Sequence, residues 1–214
     1  MNKPLRFLKA AILPERCPYC GRLVTMDKLG CETCLDKFPE KQRLFYARGG
    51  YPCAVPFLYD DIFKQAVRQM KFNSHPEYAE KLSYPLADAV RAEFGDKIEL
   101  ITYVPMHKNQ IRDRGYNQAK LLAERLSERL GVPCEALLIK HKMNLPQHSL
   151  TANERKLNVR GVYKAVSEEK IKDSAVLVVD DIITTGCTLG ECCRMLKKAK
   201  AKEIICAAIC ARRD

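Results

Sequence analysis

The stretch Val176-Leu177-Val178-Val179-Asp180-Asp181-Ile182-Ile183-Thr184-Thr185-Gly186-Cys187-Thr188-Leu189 constrains the fold more than any other part of the chain. Four consecutive aliphatics predict a strand buried on both faces, and two carboxylates end it where it emerges into solvent. The hydroxyl-rich turn that follows opens a helix, because Leu189, Cys192, Cys193 and Leu196 recur at i, i+3, i+4 and i+7. A helix start carries roughly half a positive charge on outward-pointing N–H groups, so Thr184, Thr185, Gly186 and Thr188 suit an anion such as a phosphate monoester. Gly186 would let the backbone come close to that phosphate. Asp180 and Asp181 repel an anion and are expected to face hydrogen-bond donors or a cation, such as ribose hydroxyls or Mg2+. A phosphorylated sugar answers both halves. The simpler alternative is that Thr184 or Thr185 only caps the helix, but a cap needs one hydroxyl and no acidic pair.

With 214 residues the chain is long enough for one substantial core and a small appendage. Eleven cysteines, an odd number and partly in buried-looking segments such as that of Cys206 and Cys210, fit a reducing compartment and not a disulfide framework. No apolar run reaches the ~18 residues of a membrane span. The charged stretch from Leu5 to Leu13, read as a short amphipathic helix, leads into cysteines and not into a small-residue cleavage site. A cytoplasmic location without membrane insertion is therefore expected. Thirty-seven basic against 26 acidic residues give a formal charge of +11, which suits a polyanion, either a phosphorylated substrate or nucleic acid. A basic surface with no special partner also accounts for it.

Cys17-x-x-Cys20 and Cys31-x-x-Cys34 are two knuckles that converge four thiolates on one Zn2+, a closed shell suited to structure and not catalysis. The basic run from Lys37 to Gly50 reads as a connector, giving a metal module over residues 1–50 and a larger domain over 51–214. Strands are predicted at about 54–60, 98–104, 134–139, 175–180 and 203–210, alternating with helices, one of which, about 76–94, should kink or break at Pro85. That order argues for an α/β fold with a parallel sheet and ligand binding at the carboxyl ends of its strands. The loop from Met106 to Gly115 brings Lys108, Arg112 and Arg114 to that rim, where they either take a second phosphate group or stay solvated, and Asn117 caps the next helix. The long polar segment from Lys140 to Val162 reads as a lid, with His141 and His148 as solvated residues.

Residues 180–188 closely resemble the signature for phosphoribosyl pyrophosphate (PRPP) of type I phosphoribosyltransferases, with Cys187 where a small residue such as alanine is more usual. The resemblance implies that Asp180 and Asp181 hold the ribose hydroxyls. It implies equally that Thr184, Thr185, Gly186 and Thr188 form the loop that wraps the 5′-phosphate, with Ile182, Ile183, Cys187 and Lys108 also in the PRPP site. Arg112-x-Arg114-Gly115-Tyr116-Asn117-Gln118 looks like the R-x-R-G-F-N-Q element of the ComF family, competence-associated proteins with a cysteine module and a phosphoribosyltransferase domain; here Tyr116 stands for Phe. Gln147, Leu150, Arg155, Asn158 and Gly161 match that family's Q-x-x-L-x-x-x-x-R-x-x-N-x-x-G segment, and the run Lys140-His141-Lys142 replaces an arginine before it. The resemblance extends from about Cys17 to Arg212.

Membership of that family implies a Mg2+-dependent phosphoribosyltransferase that releases pyrophosphate. Asp180 and Asp181 would orient the ribose, Lys108, Arg112 and Arg114 would neutralise the leaving group, and a lid of Gln147, Arg155 and Asn158 would exclude water. It also implies a link to DNA uptake, with single-stranded DNA or competence machinery as partner. In the alternative reading the PRPP site is regulatory or vestigial in a DNA-uptake factor.

Overall fold

The computed structural model describes residues 15–25, 28–39, 43–59, 61–72, 75–143 and 159–212. The helix predicted before residue 14 and the lid residues Gln147, Arg155 and Asn158 lie outside them.

The elements run α1 (Glu32–Leu35), β1 (Arg43–Ala47), β2 (Tyr51–Val55), β3 (Phe57–Leu58), α2 (Asp61–Phe72), α3 (Tyr78–Phe94), β4 (Leu100–Tyr103), α4 (Lys108–Arg114) and α5 (Gln118–Leu130). They continue with β5 (Leu138–Lys140), β6 (Tyr163–Ala165), α6 (Glu168–Ile171), β7 (Ala175–Ile183), α7 (Cys187–Lys198) and β8 (Glu203–Ala211). The main sheet has the order β1-β2-β8-β7-β4, with β3 also on β8. All its pairings are parallel except β1 with β2. β2 and β3 keep one register on β8, Cys53 opposite Cys206 and Phe57 opposite Cys210. Pro56, which has no N–H to donate, separates them.

β7 is central because both its faces are covered. Leu177 and Val179 join one core with Leu82, Leu86 and Val90 of α3 and Leu122 and Leu126 of α5. Val176 and Val178 join a second core with Leu189, Cys192, Cys193 and Leu196 of α7. The carboxylates do not end the strand as expected from a strand at 175–180: Asp180 and Asp181 come just past Val179, the last residue paired with β4, and β7 continues on β8 to Ile183.

Three expectations are corrected. The connector of residues 37–50 contains β1, an antiparallel edge strand. The strand predicted at 134–139 gives the sheet a single bridge, Cys134 opposite Ile101, with the Glu135 N–H donating to the Ile101 carbonyl and the Leu137 N–H to Thr102 Oγ1. The chain then turns away, buries Leu137 and Leu138 in the second core, and pairs β5 antiparallel to β6 in a separate two-stranded sheet. α3 continues past Pro85 as one helix, since Leu82, Leu86, Ala89 and Val90 are buried on both sides of the proline.

The turn after β1 presses on the start of α7. Arg48 N–H donates to the Gly186 carbonyl, and a Cβ at Gly186 would stand 2.9 Å from the Ala47 Cα. Gly186 has φ +64°, so both its conformation and its space require glycine. Its expected role, close approach of the backbone to a phosphate, is thus joined by close approach to a hairpin. At Gly190 a Cβ would meet the Arg48 carbonyl oxygen at 2.3 Å. Helix propensity alone would favour Gly190→Ala by about 1 kcal/mol. We expect the clash to win and the variant to lose about 1–3 kcal/mol in urea unfolding; a gain in stability would show that the hairpin does not bear on α7.

Candidate functional site

The carboxyl ends of β4 and β7 open into a cleft of about 440 Å³. Asp180, Asp181, Ile182, Ile183, Thr184, Thr185, Gly186, Cys187 and Thr188 all line it, as does Arg114. The same wall includes residues that the sequence reading gave no role in the site: Lys71 from α2, Gln118 from α5, Tyr163 from β6 and Arg212 after β8. Lys140, read as part of the lid, lines it from β5. Four basic side chains, Lys71, Arg114, Lys140 and Arg212, thus face two carboxylates, so the cleft favours an anion.

The geometry of the loop from Thr184 to Thr188 follows from the glycine. Gly186, in the left-handed conformation, is the N-cap of α7, and that end has no side-chain cap among the described residues. Neither Thr184 nor Thr185 is the N-cap. The first amides of a helix have no partner within it, and here the first turn faces the cleft.

The acidic pair is electrostatically loaded. Burial, and then the charge of Asp181, push the Asp180 carboxyl up to about 7, against Lys71 and against a hydrogen bond from the Asp181 N–H to Asp180 Oδ1 at 2.9 Å. Cys53, Cys192 and Tyr163, which feel Asp180 from β2, α7 and β6, are themselves pushed up by burial and stay uncharged. Asp181 is paired: its Oδ2 lies 2.8 Å from Lys71 Nζ. Burial works against the lysine's charge, but Asp181 outweighs it and the ammonium is held above its ordinary range.

The stretch from Met106 to Gly115, expected as a loop, folds into helix α4. The His107 ring accepts from the Asn109 N–H, the Gln110 side-chain Oε1 accepts from the His107 N–H, and Gly115 at φ +89° ends the helix. Helical spacing then separates the three cations. Arg114, in the last turn, lines the cleft and donates to Gln118 Oε1 at 2.9 Å. Lys108 and Arg112 are exposed outside that lining, Arg112 with 79% of its side chain in solvent. Asn117 is the expected cap of α5, accepting from the Ala119 and Lys120 N–H groups, and its own amide donates to the Val104 carbonyl, tying the end of β4 to the helix. Gln118 is 2% exposed, and its Nε2 has no hydrogen-bond partner among the described residues. A buried amide N–H2 left open beside a cleft is suited to a ligand oxygen. The R-x-R-G-F-N-Q pattern already contained Gln118, but nothing in the spacing said which way it faces.

Cys17, Cys20, Cys31 and Cys34 bring their sulfurs within 4.8 Å of one another, Cys20 and Cys31 to 3.5 Å. A tetrahedral zinc with Zn–S bonds of about 2.3 Å needs sulfurs about 3.8 Å apart, so the four thiols fit such an ion. None of them lines the cleft. Between the knuckle residues Tyr19 is fully buried, its ring edge-on to Phe38, Phe57 and Phe63, with Phe57 and Phe63 stacked at 3.9 Å. The cysteine knuckles are therefore continuous with the core under β3 and α2.

Residues 112–214 match the phosphoribosyl transferase domain family. The chain is 30% identical over 192 residues to competence protein F of Haemophilus influenzae, a match covering 88% of this chain and 81% of that protein. It is 29% identical over 199 residues to DNA utilization protein YhgH of Escherichia coli, covering 91% and 83% respectively. With competence protein ComFC of Bacillus subtilis it shares 25% identity over 191 residues, covering 88% and 74%.

Since Cys17, Tyr19 and Cys34 are in the main core, metal and fold should be coupled. We expect one zinc per chain by elemental analysis, and a loss of roughly 3 kcal/mol or more in unfolding free energy on chelation, matched by Cys17→Ser. Unfolding that is indifferent to a strong chelator would contradict this.

Proposed function

The chain belongs to the ComF family, and we propose that its cleft binds PRPP and transfers the phosphoribosyl group to an acceptor with release of pyrophosphate. The observation that carries the reading is the meeting, in one cleft, of a carboxylate pair, an uncapped helix start and four cations. Each part has a chemical counterpart in the sugar. Main-chain N–H groups and hydroxyls from Thr184 to Thr188 hold the 5′-phosphate, using the positive end of α7. Asp180 and Asp181 accept from the ribose 2′- and 3′-hydroxyls. Arg114, oriented by Gln118, meets the diphosphate at C1, and the open Gln118 amide donates to the same group. Lys108 and Arg112, exposed on α4, add to the positive field. Mg2+, when bound with the diphosphate, supplies further charge neutralisation for the leaving group. Breaking the C1–O bond sends an electron pair to pyrophosphate, so stabilising that anion is the main work, and the chain needs no nucleophile of its own. The four-cysteine site is assigned a structural zinc.

A second reading, a nucleic-acid role, is favoured by the charge of +11 and by the names of the relatives, which speak of competence and DNA utilization. If the basic surface grips single-stranded DNA, log affinity should fall steeply with log salt. Affinity indifferent to salt would sink this reading.

For the sugar site, titration calorimetry with Mg2+ should detect PRPP binding that Asp180→Asn combined with Asp181→Asn weakens at least about 30-fold, two charge-assisted hydrogen bonds being removed. Asp180 ionises only near pH 7 in the empty cleft, above its ordinary value of 3.8. Its contribution to stability is therefore complete below about pH 4 and lost as pH rises through about 7, while affinity for a hydroxyl-donating ligand rises through the same window. Absence of PRPP binding, or binding unchanged in the double variant, would falsify the assignment.

A further inference from the structure

As the cleft stands, the charge of Asp181 is already spent on a cation, its Oδ2 holding the Lys71 ammonium at 2.8 Å. A ribose hydroxyl donating to Asp181 then meets a carboxylate whose charge an ammonium has neutralised, a weaker acceptor than a free carboxylate. The pair is well shielded, with the Lys71 side chain 23% exposed and that of Asp181 10%. It is also braced. Lys71 is in the last turn of α2, and the Tyr116 hydroxyl donates to the carbonyl of the preceding residue, Met70. That contact ties the end of α2 to the turn between α4 and α5, next to Arg114. A purely structural ion pair has no need of the ligand wall, yet both members of this one line the cleft.

We propose that Lys71 is a specificity-determining cation that neutralises Asp181 in the empty cleft and moves to the ligand's diphosphate when PRPP binds, so that only a sugar carrying a diphosphate releases Asp181. The proposal rests on the reading of the cleft as a PRPP site. Its physical basis is the character of the side chain: an ammonium is a compact charge on a four-carbon stem that swings by bond rotation, whereas a guanidinium fork would stay locked on the carboxylate. Ribose 5-phosphate has no anionic group at C1 to draw the lysine away and meets an Asp181 that is still neutralised. PRPP supplies a second anion for it. Lys71 thereby discriminates substrate from its hydrolysed form without a contact that distinguishes their sugars or 5′-phosphates.

The two ligands give the test opposite signs. Lys71→Met is expected to weaken PRPP binding about tenfold or more, through loss of a charge-assisted contact, and to tighten ribose 5-phosphate by several-fold, through removal of the neutralising cation. Both are read by titration calorimetry with Mg2+ at about pH 8.5, where the carboxylates are ionised. Lys71→Gln, which keeps a neutral donor, should shift both affinities in the same directions by less, and covers the case in which the methionine variant folds poorly. Weakening of both ligands together, or no change in either, would overturn the proposal and leave Lys71 a structural partner of Asp181. A wild-type chain that binds neither sugar would remove the site reading, and this inference with it.

Discussion

The burial of β7 on both faces governs the rest of the molecule. With Leu177 and Val179 committed to one core and Val176 and Val178 to the other, the strand has no side on which to carry a charge until it passes the end of β4, whose last partner is Val179. Polar groups buried without partners are costly, so the acidic pair belongs just past the end of β4, facing a cleft, while β7 pairs with β8 as far as Ile183. Even there the cost is not fully removed. Asp180 holds its proton until near pH 7, and Asp181 keeps its charge by recruiting Lys71. The empty cleft stores an unfavourable arrangement of charge that hydroxyl donors and a compensating cation relieve.

Everything around that strand end positions counter-groups. Gly186 and Gly190 let the β1–β2 hairpin press against α7, which holds the helix start where its first turn faces the cleft. Asn117 bonds both the end of β4 and the start of α5, so Gln118 is presented from a fixed point, and Gln118 in turn orients Arg114. Lys140 reaches across from β5 to Gln110 of α4. The cysteine knuckles act at a distance, through Tyr19 and the phenylalanines under β3 and α2, and α2 is the helix that delivers Lys71.

Sequence made the centre legible and the periphery less so, for a physical reason. Residues 176–196 speak through local rules: a four-residue aliphatic run, an acidic pair, a glycine, and helical spacing of apolar residues. Asn117 was readable as a cap for the same reason, and the paired C-x-x-C knuckles as one cluster. The Lys71–Asp181 pair joins residues far apart in sequence, and no local periodicity reveals such a contact. The 134–139 segment has strand composition, but whether it extends a sheet or starts another depends on where the chain turns after Cys134. Helix α4 was hidden because its face is mostly solvated and its cap is a histidine, a less usual capping residue, so a basic polar stretch looked like a loop. Once folded as a helix, its spacing leaves only Arg114 of the three cations lining the cleft.

The central claim is that the uncapped start of α7 is a phosphate cradle. The most direct measurement is amide NMR of the isotopically labelled protein during addition of PRPP with Mg2+, following the N–H signals from Thr184 to Thr188. The account predicts large downfield proton shifts confined mainly to those amides and saturating with the ligand. Signals that stay in place there while PRPP perturbs another surface, or no perturbation at all, would contradict it.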